Sequence, residues 1–256
     1  MSTRCQPPIF KDHFSGHAAD YARYRPDYPA ALFETLARLA PRRRLAWDCG
    51  TGSGQAAHGL VSHFREVIAT DASAGQLAQA RPAEGLEFRL APAERSGLAD
   101  GSVDLVTVAQ AIHWFDLDRF FSEAARVLRA GGVLAFWAYS RLEVDAEVDA
   151  VITHFYRDIV GRYWPPERRM VENGYRDIRT PFESLKAPVF TARAHWDLAS
   201  LSGYLGTWSA SRRYQEATGR EPLAEIRDRL REAWGEPHQC KVLRWPITLR
   251  VCRKPG

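Results

Sequence analysis

From residue 28 to residue 140 the spacing of apolar positions switches repeatedly between a helical and an extended period. Tyr28-Pro29 opens a segment in which Leu32, Phe33, Leu36 and Leu39 share one helical face, and Pro41 closes it. A short apolar run then ends at Asp48. Ser53 to Phe64 reads as a helix, Glu66 to Asp71 as a strand, Ser73 to Arg81 as a helix and Leu86 to Ala91 as a third strand. Val103 to Ala109 is almost continuously apolar, as expected of a strand buried on both faces. Leu117 to Leu128 returns to helical spacing, and Gly131-Gly132 leads into a strand from Val133 to Tyr139. Strands and helices that alternate in this way predict a doubly wound, mostly parallel sheet, whose ligands bind at the carboxyl ends of the strands.

After Tyr139 the alternation stops. Val144, Val148, Val151, Phe155 and Ile159 predict an amphipathic helix, followed by the aromatic stretch Tyr163-Trp164-Pro165-Pro166 and a polar loop through Thr180. Pro188 to Trp196 reads as a strand. Leu198, Leu201, Leu205 and Trp208 make one helical face, and Leu223, Ile226, Leu230 and Trp234 make another. The chain ends in a strand from Val242 to Val251, with Pro246 marking an edge or a bulge. The expected division is a ligand-binding α/β core with an N-terminal lid over residues 1–140, a cap insertion over 141–196, and helices with a final strand over 197–256.

Composition narrows the class without changing this picture. A chain of 256 residues with 45% hydrophobic and 26% charged residues can bury a full core. No apolar run is long enough to span a bilayer, and the first eight residues lack the apolar centre of a signal peptide, so a cytoplasmic location is expected. Cys5, Cys49, Cys240 and Cys252 are scattered without metal spacing, which predicts reduced thiols and no metal. The net charge of +4 comes entirely from residues 141–256, where Arg168-Arg169 and Arg212-Arg213 are interleaved with acids. That is no phosphate track, so neither nucleic acid nor membrane is an expected partner; basic groups there suit an acidic small molecule.

Chemistry enters at residues 45–54, Leu-Ala-Trp-Asp-Cys-Gly-Thr-Gly-Ser-Gly. An apolar run ending in Asp48 opens into Gly50, Gly52 and Gly54, around Thr51, and then into a helix, and Asp48, Thr51 and the three glycines are its expected ligand contacts. Glycines at that spacing bring bare peptide N–H groups up to a ligand beside a helix start whose own N–H groups lack partners. A dinucleotide turn needs G-x-G-x-x-G, and counted from Gly50 its third glycine is replaced by Gln55, which disfavours an NAD-dependent dehydrogenase. The pattern present, D-x-G-x-G-x-G, resembles motif I of the class I S-adenosylmethionine-dependent methyltransferases.

The similarity spans nearly the whole chain. Tyr-Ala-Arg-Tyr-Arg-Pro-Asp-Tyr-Pro (21–29), Gln-Ala-Ile-His-Trp-Phe (110–115), Gly-Thr-Trp-Ser-Ala (206–210) and Arg-Trp-Pro-Ile-Thr-Leu-Arg (244–250) resemble the small-molecule branch typified by trans-aconitate methyltransferase. The resemblance implies a Rossmann-like α/β fold, a doubly wound and mostly parallel seven-stranded sheet, with a helical cap insertion after the fifth strand. It implies S-adenosylmethionine as cofactor and S-adenosylhomocysteine as product. Asp71, 23 residues after Asp48 at the end of the second strand, can accept from both hydroxyls of a ribose, with Ala72 and Gln76 beside it. It equally suits an N-cap for the helix that follows, and the two roles are compatible. Many relatives carry an acid after the third strand for the adenine amino group; Pro92 stands there, which shifts that contact to Ala93 or Glu94. Ala109, Gln110 and His113 leave the fourth strand beside the expected sulfonium. His113, with Gln110, is the candidate catalytic group, either handling an acceptor's proton or only shaping the pocket wall.

Arg25 is placed to pair with the methionine carboxylate, or else is a surface arginine. Acceptor contacts are expected from Tyr21, Tyr24, His113, Trp114, Trp137, Tyr139, Trp208 and Arg212, with Tyr163, Tyr175 and Arg213 as further pocket candidates. The resulting expectation is methyl transfer to a small-molecule acceptor, with carboxylate the preferred class, by a monomer or homodimer. Its rivals are a protein that binds S-adenosylmethionine without catalysis and a methyltransferase acting on a macromolecule.

Overall fold

The computed structural model describes residues 24–256. The expectation for Tyr21 lies outside the described residues. α1 (Ala30–Leu39) turns Leu32, Phe33, Leu36 and Ala37 inward. Five parallel strands follow: β1 (Leu45–Cys49), β2 (Glu66–Asp71), β3 (Leu86–Leu90), β4 (Val103–Ala109) and β5 (Leu128–Tyr139), in the spatial order β3-β2-β1-β4-β5. Their connections carry α2 (Gln55–Val61), α3 (Ala74–Leu77) and α4 (Leu117–Val127). β1 and β4 lie in the middle of the sheet and are buried almost throughout, so their runs need no polar alternation.

Three antiparallel strands complete the sheet. β8 (Lys241–Arg253) lies between β5 and β6 (Glu183–Leu185), giving a path of seven strands; β7 (Phe190–Trp196) is an eighth, paired with the first half of β8. Pro246 stands next to the point where β8 leaves β5, whose ladder ends at Tyr139 opposite Ile247. A proline there costs the β5 ladder no bond. One apolar layer, including Leu36, Leu60 and Trp137, covers one face of the sheet, and a second, including Trp47, Phe120 and Phe136, covers the other. Asp104, fully buried, ties the start of β1 through the backbone N–H groups of Arg44 (2.9 Å) and Leu45 (3.0 Å) and pairs with Arg129 at 2.7 Å.

Several elements differ from the periodicity. α2 begins only at Gln55, because Gly54 has a φ of 91° that no right-handed helix accepts. α3 is a single turn that ends at Leu77, short of the expected 73–81 segment, and Pro82 disfavours helical backbone at Arg81. β5 starts at Leu128, with its pairing to β4 displaced across the glycine pair. A 3-10 turn (Gly161–Tyr163) leads into the aromatic stretch, and the expected loop through Thr180 contains α6 (Arg168–Glu172).

The 141–196 segment also divides. Its first part, with α5 (Ala146–His154) running into a π turn (Phe155–Ile159), lies over the sheet edge, whereas β6 and β7 belong to the sheet. α7 (Leu198–Gly206) and α8 (Ser209–Thr218) add to the same cover, and α9 (Arg227–Trp234) packs against α5. α8 escaped the pattern because it buries only Ala210, Ser211 and Tyr214.

Candidate functional site

The carboxyl edge of the parallel strands gathers the chemistry. Gly50, Gly52 and Gly54 have φ values of 67°, 59° and 91°, so each needs the left-handed backbone that glycine adopts without penalty. Space enforces the choice at Gly50: a Cβ there would stand 2.7 Å from the Ala111 methyl and 2.9 Å from the Phe115 ring. Asp48 does not face out of this turn. Fully buried, it accepts from the hydroxyls of Thr51 (2.5 Å) and Thr107 (2.7 Å), and burial lifts its carboxyl to about 6 against the pull of those bonds. It therefore shapes the turn from behind, a different use from the ligand contact expected of it, and Thr51 is occupied with it.

Asp71 sits where a nucleoside ligand would want it, half-buried at the end of β2. One carboxylate oxygen accepts from Gly52 N–H and the other from Ser73 N–H, both at 2.8 Å. The N-cap of α3 is Ser73, whose hydroxyl accepts from Gln76 N–H. Asp71 thus braces the glycine turn and the start of α3 together. A carboxylate oxygen carries two lone pairs, so bracing the turn is chemically compatible with accepting from a ribose hydroxyl. Ala72 is half-buried beside it, and the Gln76 side chain lies behind Gly52. After β3, Ala93 is buried and Glu94 accepts from Asp116 N–H at 3.0 Å, joining that loop to the start of α4.

The segment after β4 is strained. Gln110 has a φ of 60°, uncommon for a residue with a Cβ, and its backbone N–H is held by Trp137 O at 2.8 Å. Its side-chain amide nitrogen is buried with no hydrogen-bond partner among the described residues. A strained backbone that aims an unsatisfied donor into a cleft is an arrangement that a ligand can complete. His113 follows on a 3-10 turn (Ile112–Trp114), with Nδ1 2.9 Å from the hydroxyl of Tyr175. Burial, assisted by the charge of Arg168, pushes the imidazole down to about 3, so it is neutral at ordinary pH. A neutral imidazole whose conjugate acid is that strong orients a partner better than it takes a proton. Tyr175 is itself fully buried at a φ of 57°, its carbonyl fixed by Arg250 at 2.6 Å.

Gln110 and His113 line an open-mouthed cavity that holds about 790 Å³ of unfilled space, solvent at its mouth included. Its walls are aromatic: Tyr139 from β5, Tyr156 and Trp164 from the cover, Tyr204 and Trp208 from α7 and the turn after it. Arg25, Arg141 and Arg168 line it, with no Asp or Glu among its described lining residues. Arg25 lies over the Tyr204 ring at 5.4 Å. The Tyr139 hydroxyl donates to Pro26 O at 2.5 Å, and Gln55 donates to the same carbonyl at 2.8 Å, so the entering chain is tied down over the sheet edge.

Of the expected acceptor contacts, His113, Trp114, Tyr139 and Trp208 do line this cavity. Trp137 does not: it is fully buried behind the sheet edge, edge-on to Tyr28 and Phe33. Arg212 pairs with Glu216 at 4.0 Å on α8, away from the lining, and Tyr24 packs its ring against Gly203 instead. Tyr163 packs edge-on to Tyr214, outside the lining. Tyr156 and Tyr204 carry no such expectation, and Arg168 enters the sequence reading only as one of the basic groups after residue 140 that suit an acidic molecule. Trp164-Pro165 gave a signal as an aromatic stretch before what read as a loop.

The site can be tested for fit to an adenosine-bearing sulfonium cofactor. A glycine turn that side chains would fill, a carboxylate at the end of β2 and an unsatisfied amide at Gln110 all meet the need. Among the described residues, no helix is long and apolar enough to cross a membrane.

Comparison with known proteins agrees. Residues 47–136 match the family described as a methyltransferase domain. A protein of Dictyostelium discoideum, provisionally named a methyltransferase, is 35% identical over 232 residues, covering 89% of this chain and 88% of its own length. A solved structure from Anaeromyxobacter dehalogenans, provisionally titled a type II methyltransferase, has a TM-score of 0.85 at 47% identity, covering 91% of this chain and 99% of that one. With strand order, glycine turn and near full-length relatives in accord, the chain belongs to the class I S-adenosylmethionine-dependent methyltransferases.

Proposed function

We propose that this enzyme methylates a small molecule held in the aromatic cavity above Gln110 and His113, and that the acceptor carries a carboxylate. The observation that carries the reading is the lining itself: ring-walled, with three arginines and no acidic side chain among the described residues. Such a surface suits a compact anionic molecule. The resemblance of residues 21–29, 110–115, 206–210 and 244–250 to the trans-aconitate branch points the same way.

When bound, S-adenosylmethionine supplies a methyl group already activated on a sulfonium. The work left to the chain is placement and exclusion of water. Asp71 and the backbone of the Gly50–Gly54 turn would hold the nucleoside, Arg25 the methionine carboxylate, and Ala93 and Glu94 the edge of the base. Gln110 would satisfy its buried amide on the ligands that meet at the end of β4, and His113 would orient the acceptor as a neutral hydrogen-bonding group. A carboxylate nucleophile needs no base, which fits an imidazole that stays neutral.

Incubation with S-adenosylmethionine labelled in its methyl group, against a panel of small carboxylates, phenols and amines, tests the reading. Label that transfers to an acid and falls away in alkali marks an ester and supports it. Alkali-stable products would sink the carboxylate preference; transfer only to protein or nucleic acid would sink the small-molecule reading.

A further inference from the structure

Arg168 stands apart among the three arginines of the cavity. Its guanidinium lies 4.6 Å from the centre of the Trp164 ring and 5.4 Å from that of Tyr156, and its Nε donates to the Tyr156 hydroxyl at 2.8 Å. That hydroxyl in turn donates to Glu172. Glu172 holds the phenol, not the arginine, and among the described residues Arg168 has no ion pair. The planar cation is therefore fixed on one edge and rests against two neighbouring rings, while it lines the cavity and its remaining guanidinium N–H groups make no hydrogen bond within the described chain. Arg141, by contrast, is exposed at the rim, and Arg25 is drawn onto Tyr204.

A second group completes the surround. α6, which begins with Arg168, packs against the 3-10 turn that carries His113, and the two residues line the same cavity. The Tyr175 phenol is a better donor than acceptor, and the imidazole nitrogen a better acceptor than the phenol. Donation from Tyr175 to Nδ1 leaves the remaining ring nitrogen, Nε2, as an N–H donor.

We infer that Arg168 is the charge-recognising residue of the acceptor cavity, seating an oxyanion of a carboxylate-bearing molecule with help from the His113 N–H. The inference rests on the reading of this cavity as the acceptor site. A guanidinium whose orientation is set by stacking and one hydrogen bond loses little freedom when it grips a carboxylate. The ring walls then take the apolar body of the ligand.

The test is calorimetric binding to enzyme saturated with S-adenosylhomocysteine, with benzoate as lead probe, a short set of other monocarboxylates, and the neutral amide of each. The acids should bind the parent at least tenfold more tightly than their amides. Arg168→Gln should abolish most of that preference, on the order of a 10- to 100-fold loss for the acids and little for the amides. Arg168→Lys, which keeps the charge but not the fork, should fall between them and guards against a misfolded variant. Equal binding of acids and amides to the parent, or full discrimination in Arg168→Gln, overturns the inference. The methyltransferase reading stands or falls separately on whether the parent binds S-adenosylhomocysteine at all, and both variants should bind it like the parent.

Discussion

Two buried side chains at the sheet edge push the stability of the fold in opposite directions as the solution is acidified. His113 is held near 3, below its ordinary 6.5, by burial and by Arg168, so the folded chain refuses a proton that the unfolded chain accepts. Its contribution is present above pH 6.5 and is lost as pH falls toward 3. Asp48 is raised by burial from 3.8 to about 6, so between those values the folded chain keeps a proton that the unfolded chain has released. Its effect has the opposite sign: stability grows as pH falls from about 6 to 3.8. Over that shared window the two slopes nearly cancel. His113→Gln removes one of them, and urea unfolding from pH 7 to 4 should show the variant gaining on the parent by about 1.4 kcal/mol per pH unit below 6.5. A constant difference between the two would mean the imidazole is not buried neutral. Tyr175→Phe tests the companion contact: acceptor turnover should fall about 3- to 10-fold for the loss of one hydrogen bond, with cofactor affinity unchanged.

At the scale of elements, a residue was legible where it repeated a period or broke one, and illegible where its reason lay in a distant part of the chain. Apart from β6, the β strands were written in local apolar spacing, as was α1, and the Gly50–Gly54 turn in glycines at strand-to-helix punctuation; β6, three residues long and mostly exposed, has no such spacing. Gly59 looked like an ordinary helical residue. Yet the Phe33 ring of α1 passes 2.1 Å from where a Cβ on Gly59 would stand, so α1 and α2 meet only because that side chain is missing. Gly59→Ala should destabilise by about 1–3 kcal/mol through overpacking, measured by denaturant midpoint, and Phe33→Ala should relieve part of it. Glu123 was equally silent. On α4, it accepts from Ser96 N–H at 2.7 Å and from Arg126 at 2.8 Å, steadying the loop that follows Ala93 and Glu94. The cavity walls escaped for a related reason: Tyr156, Arg168 and Tyr204 come from three elements separated by up to 48 positions, and only folding makes them neighbours. Trp137 shows the converse error, since an aromatic residue near a strand end faces core or pocket according to register.

For the whole molecule, the glycine turn, α3 and the covering chain are braced onto one edge of the sheet, so ligand binding there should be felt as global stability. A ligand that binds only the folded state at one hundred times its dissociation constant adds about 2.7 kcal/mol. In a chain of this size that is a rise of roughly 5–10 °C in the unfolding midpoint. S-adenosylhomocysteine should produce such a rise in the parent. Asp71→Ala removes both the acceptor for a ribose and the brace between Gly52 and Ser73, whose N–H groups bond it at 2.8 Å. The ligand-free variant should therefore melt lower by the loss of two charge-assisted hydrogen bonds, about 3–6 kcal/mol in all. More tellingly, the rise with S-adenosylhomocysteine should shrink to near nothing at the same ligand concentration. The two effects separate the roles of one carboxylate. A lower midpoint with an intact ligand rise would make Asp71 a brace alone, and would move the search for the nucleoside contact to Glu94 and the backbone of the turn.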